Sequence, residues 1–125
     1  MRKCIFILLV ILAVSYRLEA KKQEVVMPSG KEIYIPKDLQ GMDLQNPDSK
    51  WSYHRMAYTD NFVIFWEKGF GNDLSNPPQL EGHNMKVDLL NLTEKLESFY
   101  HFFRDTLKFS KPGSKCDKYR MMVML

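Results

Sequence analysis

Three histidines, a cysteine near the C-terminus and scattered carboxylates are the side chains that could do chemistry in this chain. His54, His83 and His101 stand in three separate segments. A zinc site needs three or four convergent His, Cys or carboxylate donors, commonly two of them one helical turn apart. Neither H-E-x-x-H nor C-x-x-C occurs. His83, in Leu80-Glu81-Gly82-His83-Asn84, precedes a helical pattern. It reads as a loop or capping residue, with a ligand role as the sharper alternative. Glu67 follows an aromatic run and would be a strand-end carboxylate at a cleft, half of a general acid/base pair. His101 has Glu97 and Asp105 four residues to either side. Carboxylates so placed can orient an imidazole for proton transfer, but ordinary surface pairing along a helix is the preferred reading. Cys116, beside Lys115 and near Lys118, reads as a loop thiol. No catalytic, cofactor-binding or metal set is predicted; His83 and Glu67 are the candidates.

The elements that must position these residues are clearer. Asn61-Phe62-Val63-Ile64-Phe65-Trp66 is β-branched and aromatic without alternation, which predicts a strand buried on both faces. Met85, Leu89, Leu92, Leu96, Phe99, Tyr100, Phe103 and Leu107 fall within about 100° of arc, one apolar stripe on a helix of about six turns. Asn84 is its expected N-cap, Asp88 suits the early helix dipole, and Lys108 with Lys111-Pro112-Gly113 closes it. Tyr119 through Leu125 predicts a second strand, again apolar on both faces. Strand, long helix, strand is the order of a βαβ crossover. The expected class is therefore α+β, containing an α/β-type strand–helix–strand unit over 51–125.

Upstream, 21–50 reads as an extended lead-in rich in turn formers. Val25-Val26-Met27 and Glu32-Ile33-Tyr34-Ile35 are expected to pair as a small edge hairpin. Trp51, Tyr53, Tyr58, Phe65, Trp66 and Phe70 would offer stacking surface to a glycan, although core packing is the preferred reading. One helix covers only one face of a parallel sheet, and such sheets need cover on both. The unit is thus expected to be the front of a larger domain, prone to self-association through its last strand, with only Arg120 to discourage edge pairing.

The N-terminus supplies the addressing signal. Arg2 and Lys3 precede eleven unbroken apolar residues from Cys4 to Val14, and Leu18-Glu19-Ala20 follows. This is the plan of a signal peptide over 1–20 with cleavage after Ala20. Eleven residues at helical rise reach only about 17 Å, short of the ~30 Å hydrocarbon core, so no stable membrane span is expected after cleavage. The expected location is exported: periplasm, outer surface or medium. Removing the leader takes Cys4 with it and reduces the formal charge from +3 to +1 over the remaining 105 residues. A lone remaining cysteine excludes an internal disulfide framework. So small a charge excess argues against a nucleic-acid partner.

The stretches Phe62 to Gly71, Glu81-Gly82-His83-Asn84-Met85, Lys95 to Tyr100 and Lys118 to Met124, in that order, resemble the amino-terminal part of a secreted bacterial family. That family carries a domain of unknown function related to zincin-like metallopeptidases. The resemblance covers about residues 51–125 and implies an incomplete zincin-like N-terminal half-domain. In the full-length family more sheet follows, then a helix with an H-E-x-x-H-type motif and its zinc. No position here matches that motif, so no zinc ligand or catalytic glutamate carries over and no cofactor is expected in this chain. The resemblance implies a truncated front piece of a metallohydrolase, inactive alone and possessing a missing C-terminal half as its partner. The alternative is a small secreted module that binds glycan or protein through the Trp/Tyr cluster or an open strand edge.

Overall fold

The run Phe62-Val63-Ile64-Phe65 has no polar side chain to present to water, and it forms one of the two interior strands of a small mixed sheet. The computed structural model of the chain describes residues 25–74 and 86–125. In it, β1 (Glu32–Ile33), a one-turn helix α1 (Lys37–Gln40), β2 (Met56–Tyr58) and β3 (Phe62–Phe65) precede helix α2 (Leu89–His101). A second one-turn helix, α3 (Lys115–Lys118), leads into β4 (Tyr119–Met124). The sheet order is β1-β4-β3-β2. β3 and β4 are parallel, with Phe62 beside Met121 and Phe65 beside Met124, and α2 lies between them in sequence. That is the expected strand–helix–strand unit, and the chain is of the α+β class.

β3 is buried on both faces, with Val63, Ile64 and Phe65 at 0% exposure. Successive strand residues point to opposite faces. Phe62 meets Tyr100 of α2 at 6.2 Å between ring centroids, while Phe65 meets Tyr53 at 5.9 Å on the other side. The second face of β3, expected to lie open, is covered. The segment before the strand returns over it: Tyr53 N donates to Leu44 O at 2.9 Å, and both Leu39 and Leu44 are buried.

The expected hairpin between 25–27 and 32–35 does not form. Residues 25–27 are not in a strand, and β1 instead runs parallel to β4, with Glu32 beside Tyr119 and Ile33 beside Arg120. The cause is Arg120, which is only 5% exposed. A buried guanidinium must find acceptors for its donors. Its Nε donates to Thr59 O at 2.7 Å, its Nη2 to Ser29 O at 2.7 Å, and its Nη1 to Lys31 O. The turn at 28–31 thus wraps the arginine and delivers the next residues to β4, with Gly30 at φ 89° supplying the left-handed turn. Arg120 is therefore not the edge guard expected of it. Arg55, 1% exposed, pins the lead-in at a second point by donating to Pro47 O at 2.6 Å, to Lys50 O at 3.1 Å and to Ser49 O.

β2 was not legible, being a three-residue Met-Ala-Tyr strand. It forms because the Thr59 N donates to Phe62 O at 2.9 Å and the Thr59 hydroxyl accepts from Phe62 N at 3.1 Å, closing a tight turn. α2 differs from expectation at both ends. The predicted cap Asn84, with Met85, lies outside the described residues. The described helix starts at Leu89, capped by Asp88, whose carboxylate accepts from Asn91 N at 3.0 Å. After His101 it widens into a π-helical segment, Phe102–Thr106, and stops at Lys108 in the left-handed conformation, φ 57°. Glycine or asparagine is the usual occupant there. The stripe splits: Tyr100 is buried, but Phe99, Phe103 and Leu107 are 58%, 47% and 44% exposed. The widened turn adds residues per turn and rotates the later apolar positions away from the sheet. Among the described residues, no helix is long and apolar enough to cross a membrane.

Candidate functional site

Two adjacent recesses share Tyr100 and Arg104, which α2 and its π-helical extension carry one turn apart. The first is a polar crevice at the end of the sheet where β3 and β4 begin. Tyr100 OH accepts from Lys31 Nζ at 3.0 Å and from Arg104 Nη1 at 2.6 Å, and donates to Cys116 O at 3.3 Å. Lys31 Nζ donates as well to Asn61 Oδ1 and Cys116 O. With three acceptors found, the ammonium has no donor left over. Arg104 pairs with Asp117, whose other oxygen accepts from Gly113 N at 2.6 Å. The hydrogen bonds to Asp117 and then to Tyr100 raise the arginine's pKa, and the same bond from Arg104 holds the Asp117 carboxyl below the usual range. The crevice ties the lead-in, β3, α2 and the 113–117 loop together. The crevice is a latch.

Glu97, read from the sequence as a surface partner of His101, belongs to this latch. Its oxygens accept from Asn61 N at 2.9 Å and Asn61 Nδ2 at 2.7 Å, capping the start of β3. His101 lies 3.9 Å from Glu97 and 2.9 Å from Asp105, on the exposed side. Burial pushes the Glu97 carboxyl up, but hydrogen bonds from Thr59 and Asn61, with the charge of His101, outweigh it and bring the pKa below 4.5. A depressed folded-state pKa contributes stability that is present above the unfolded value and lost as pH falls through the folded one. Stability should therefore drop as pH falls below about 4.5. In Glu97→Gln that part of the acid slope should be absent, as read by denaturant midpoints across the acid range. An unchanged slope would mean that Glu97 is not the coupled group.

The second recess is an apolar cleft of about 350 Å³ between α2, β3, β4 and the 110–116 loop. Phe62, Phe99, Tyr100, Phe103, Cys116 and Met121 form its walls, with Arg104 and Ser110 at the margin. Phe103 also stacks at a tilt with Phe109, 5.7 Å away, and meets Phe102 edge-on at 5.8 Å. Phe109 is 74% exposed and Phe102 49%. A volume of a few hundred cubic ångströms lined by aromatic groups accommodates a large apolar group. The sequence signal for it was present but misread: the stripe that should pack on the sheet includes the residues that line the cleft.

The sequence candidates fall elsewhere. Glu67 follows β3 at the other end of the sheet, where its carboxylate is 3.6 Å from Lys50 and its N–H donates to Leu125 O at 3.1 Å. His83 and Ala20 lie outside the described residues. His54 Nε2 is 3.1 Å from Gln45 O. Cys116 is a free, half-buried thiol in the cleft wall. Among the described residues, no three His, Cys, Asp or Glu side chains converge to hold a metal ion. Phe65 and Trp66 of the aromatic cluster are core, Trp66 Nε1 donating to Gly71 O at 3.0 Å.

Fold and cleft together define an α+β domain built on a βαβ unit, latched at one end and open at an apolar recess. The chain belongs to a family of unknown function, DUF6055, which matches residues 25–125. The match takes in the lead-in that wraps Arg120 as well as the strand–helix–strand unit. No curated protein and no solved structure matches the chain.

Proposed function

We propose that this is an exported binding module that seats an apolar side chain of a protein partner in the cleft between α2 and β4. The observation that carries the reading is the exposure of Phe99, Phe102, Phe103, Leu107, Phe109 and Met121 on and around that cleft, at 36–74% each. Contiguous apolar surface of this kind marks interaction sites. Export rests on the leader ending at Ala20. The test is selection of displayed random octapeptides on the full chain. Selected peptides should share a Phe, Trp or Leu anchor. They should bind Phe103→Ser about tenfold or more weakly, the equivalent of one large apolar group left unburied. The variant's melting temperature should stay near the parent's, because Phe103 is already 47% exposed. Peptides without a shared anchor, or an anchor indifferent to Phe103→Ser, would remove the cleft reading.

The resemblance to zincin-like half-domains supports a second reading, the front part of a metallohydrolase. One observation favours it: β1 pairs only with Tyr119 and Arg120, so the same side of β4 at Met122, Val123 and Met124 has no strand beside it among the described residues. More sheet would add there. The zinc that this reading implies has no fitting donor set among the described residues, and no chemistry is assigned to it.

A further inference from the structure

The charges around the cleft are unevenly matched. Arg104 is paired with Asp117, Lys118 lies 3.8 Å from Glu32, and the Asp105 carboxylate is 2.9 Å from the His101 ring. Lys108, Lys111 and Lys115 are exposed and, among the described residues, have no carboxylate within 4.0 Å. Each is the chain neighbour of an apolar-patch or cleft residue: Lys108 of Phe109, Lys111 of Ser110, Lys115 of Cys116. Lys108 holds the left-handed position at the end of the helix, φ 57°, where glycine would be cheaper. Strain kept at an exposed lysine is a reason to look for what the lysine does.

We infer that the cleft's partner is an acidic, extended protein segment, its apolar anchor in the recess and its flanking carboxylates on Lys108, Lys111 and Lys115. This rests on the cleft reading above and adds the chemical class of the partner. A second copy fits poorly, because two such faces brought together would oppose lysines to lysines. A lipid surface takes up protruding apolar groups, whereas here Phe62, Tyr100 and Cys116 form a recess of about 350 Å³ behind the exposed rings.

The experiment again uses octapeptides selected on the full chain, now read for the residues flanking the anchor. Aspartate and glutamate should be enriched there. Reversing the three lysines, Lys108→Glu, Lys111→Glu and Lys115→Glu together, should weaken selected peptides about tenfold or more at ~0.05 M salt and far less at ~0.5 M, where exposed charges are screened. Lys108→Gly separates function from folding: its melting temperature should rise while its affinity for the acidic peptides falls. Apolar anchors with no acidic flanks, or acidic peptides indifferent to the lysine variants, would overturn this inference and leave the cleft reading standing. Selection of no anchored peptide would remove both. Two further results would also overturn it in favour of another occupant. One is a concentration-dependent dimer lost in Phe103→Ser. The other is lysine-dependent cosedimentation with phosphatidylserine–phosphatidylcholine vesicles, accompanied by no acidic enrichment.

Discussion

Arg120→Met should lower the unfolding free energy by about 3–5 kcal/mol, a large fraction of the 5–15 kcal/mol typical of a domain. The guanidinium is 5% exposed and satisfies three carbonyls, those of Ser29, Lys31 and Thr59. Methionine fills most of the volume but donates nothing, so buried acceptors lose their partners. Hydrogen bonds to a charged donor contribute about 1.5–3 kcal/mol each, and the desolvation cost that the buried guanidinium no longer carries offsets part of their sum. Arg120→Lys should recover only part of the loss, since an ammonium lacks the planar fork that reaches Thr59 on one side and the 29–31 turn on the other. Urea unfolding followed by the fluorescence of the two tryptophans, Trp51 and the buried Trp66, would measure both variants. A loss below about 1 kcal/mol in Arg120→Met would show that water can replace the arginine, and that the lead-in is held by something else.

Phe65→Ala should cost about 3–5 kcal/mol, the usual range for emptying a buried phenylalanine site. Phe65 is 0% exposed, lies between β2 and β4 in the sheet, and meets Tyr53 of the returning lead-in. Collapse into the cavity would need the strand backbone to move, and pairing on both sides prevents it. Phe109→Ala is the control: at 74% exposure it should change stability little. If Phe65→Ala were equally mild, the face of β3 toward Tyr53 would be wet in solution and the lead-in would be a loose strap.

Local chemistry made the central elements legible. Phe62-Val63-Ile64-Phe65 suits a doubly buried strand, because it is short, β-branched and aromatic, and nothing in it tolerates water. The spacing of Leu89, Leu92, Leu96 and Tyr100 could only be a helix face. Their order in the chain then called for a parallel crossover. The lead-in was misjudged because its attachment depends on two arginines. Arg55 and Arg120 look like surface residues in sequence, since arginine is rarely buried without partners. Whether it finds partners depends on backbone carbonyls 5 to 91 positions away in the chain. Glu97 was misjudged for the same reason, its partner Asn61 being 36 positions distant.

The cleft shows most plainly where sequence stops. Periodicity established which residues of α2 share a face, since side-chain direction follows from helical geometry alone. It could not say how much sheet would lie beneath them. Tyr100 finds Phe62 under it, while Phe99 and Phe103, on the same stripe, look past β4 into an open recess. Burial is a property of what two elements do together. A four-residue β3 and a π-helical turn at Phe102–Thr106 left part of the stripe without a partner, and that shortfall made the binding surface.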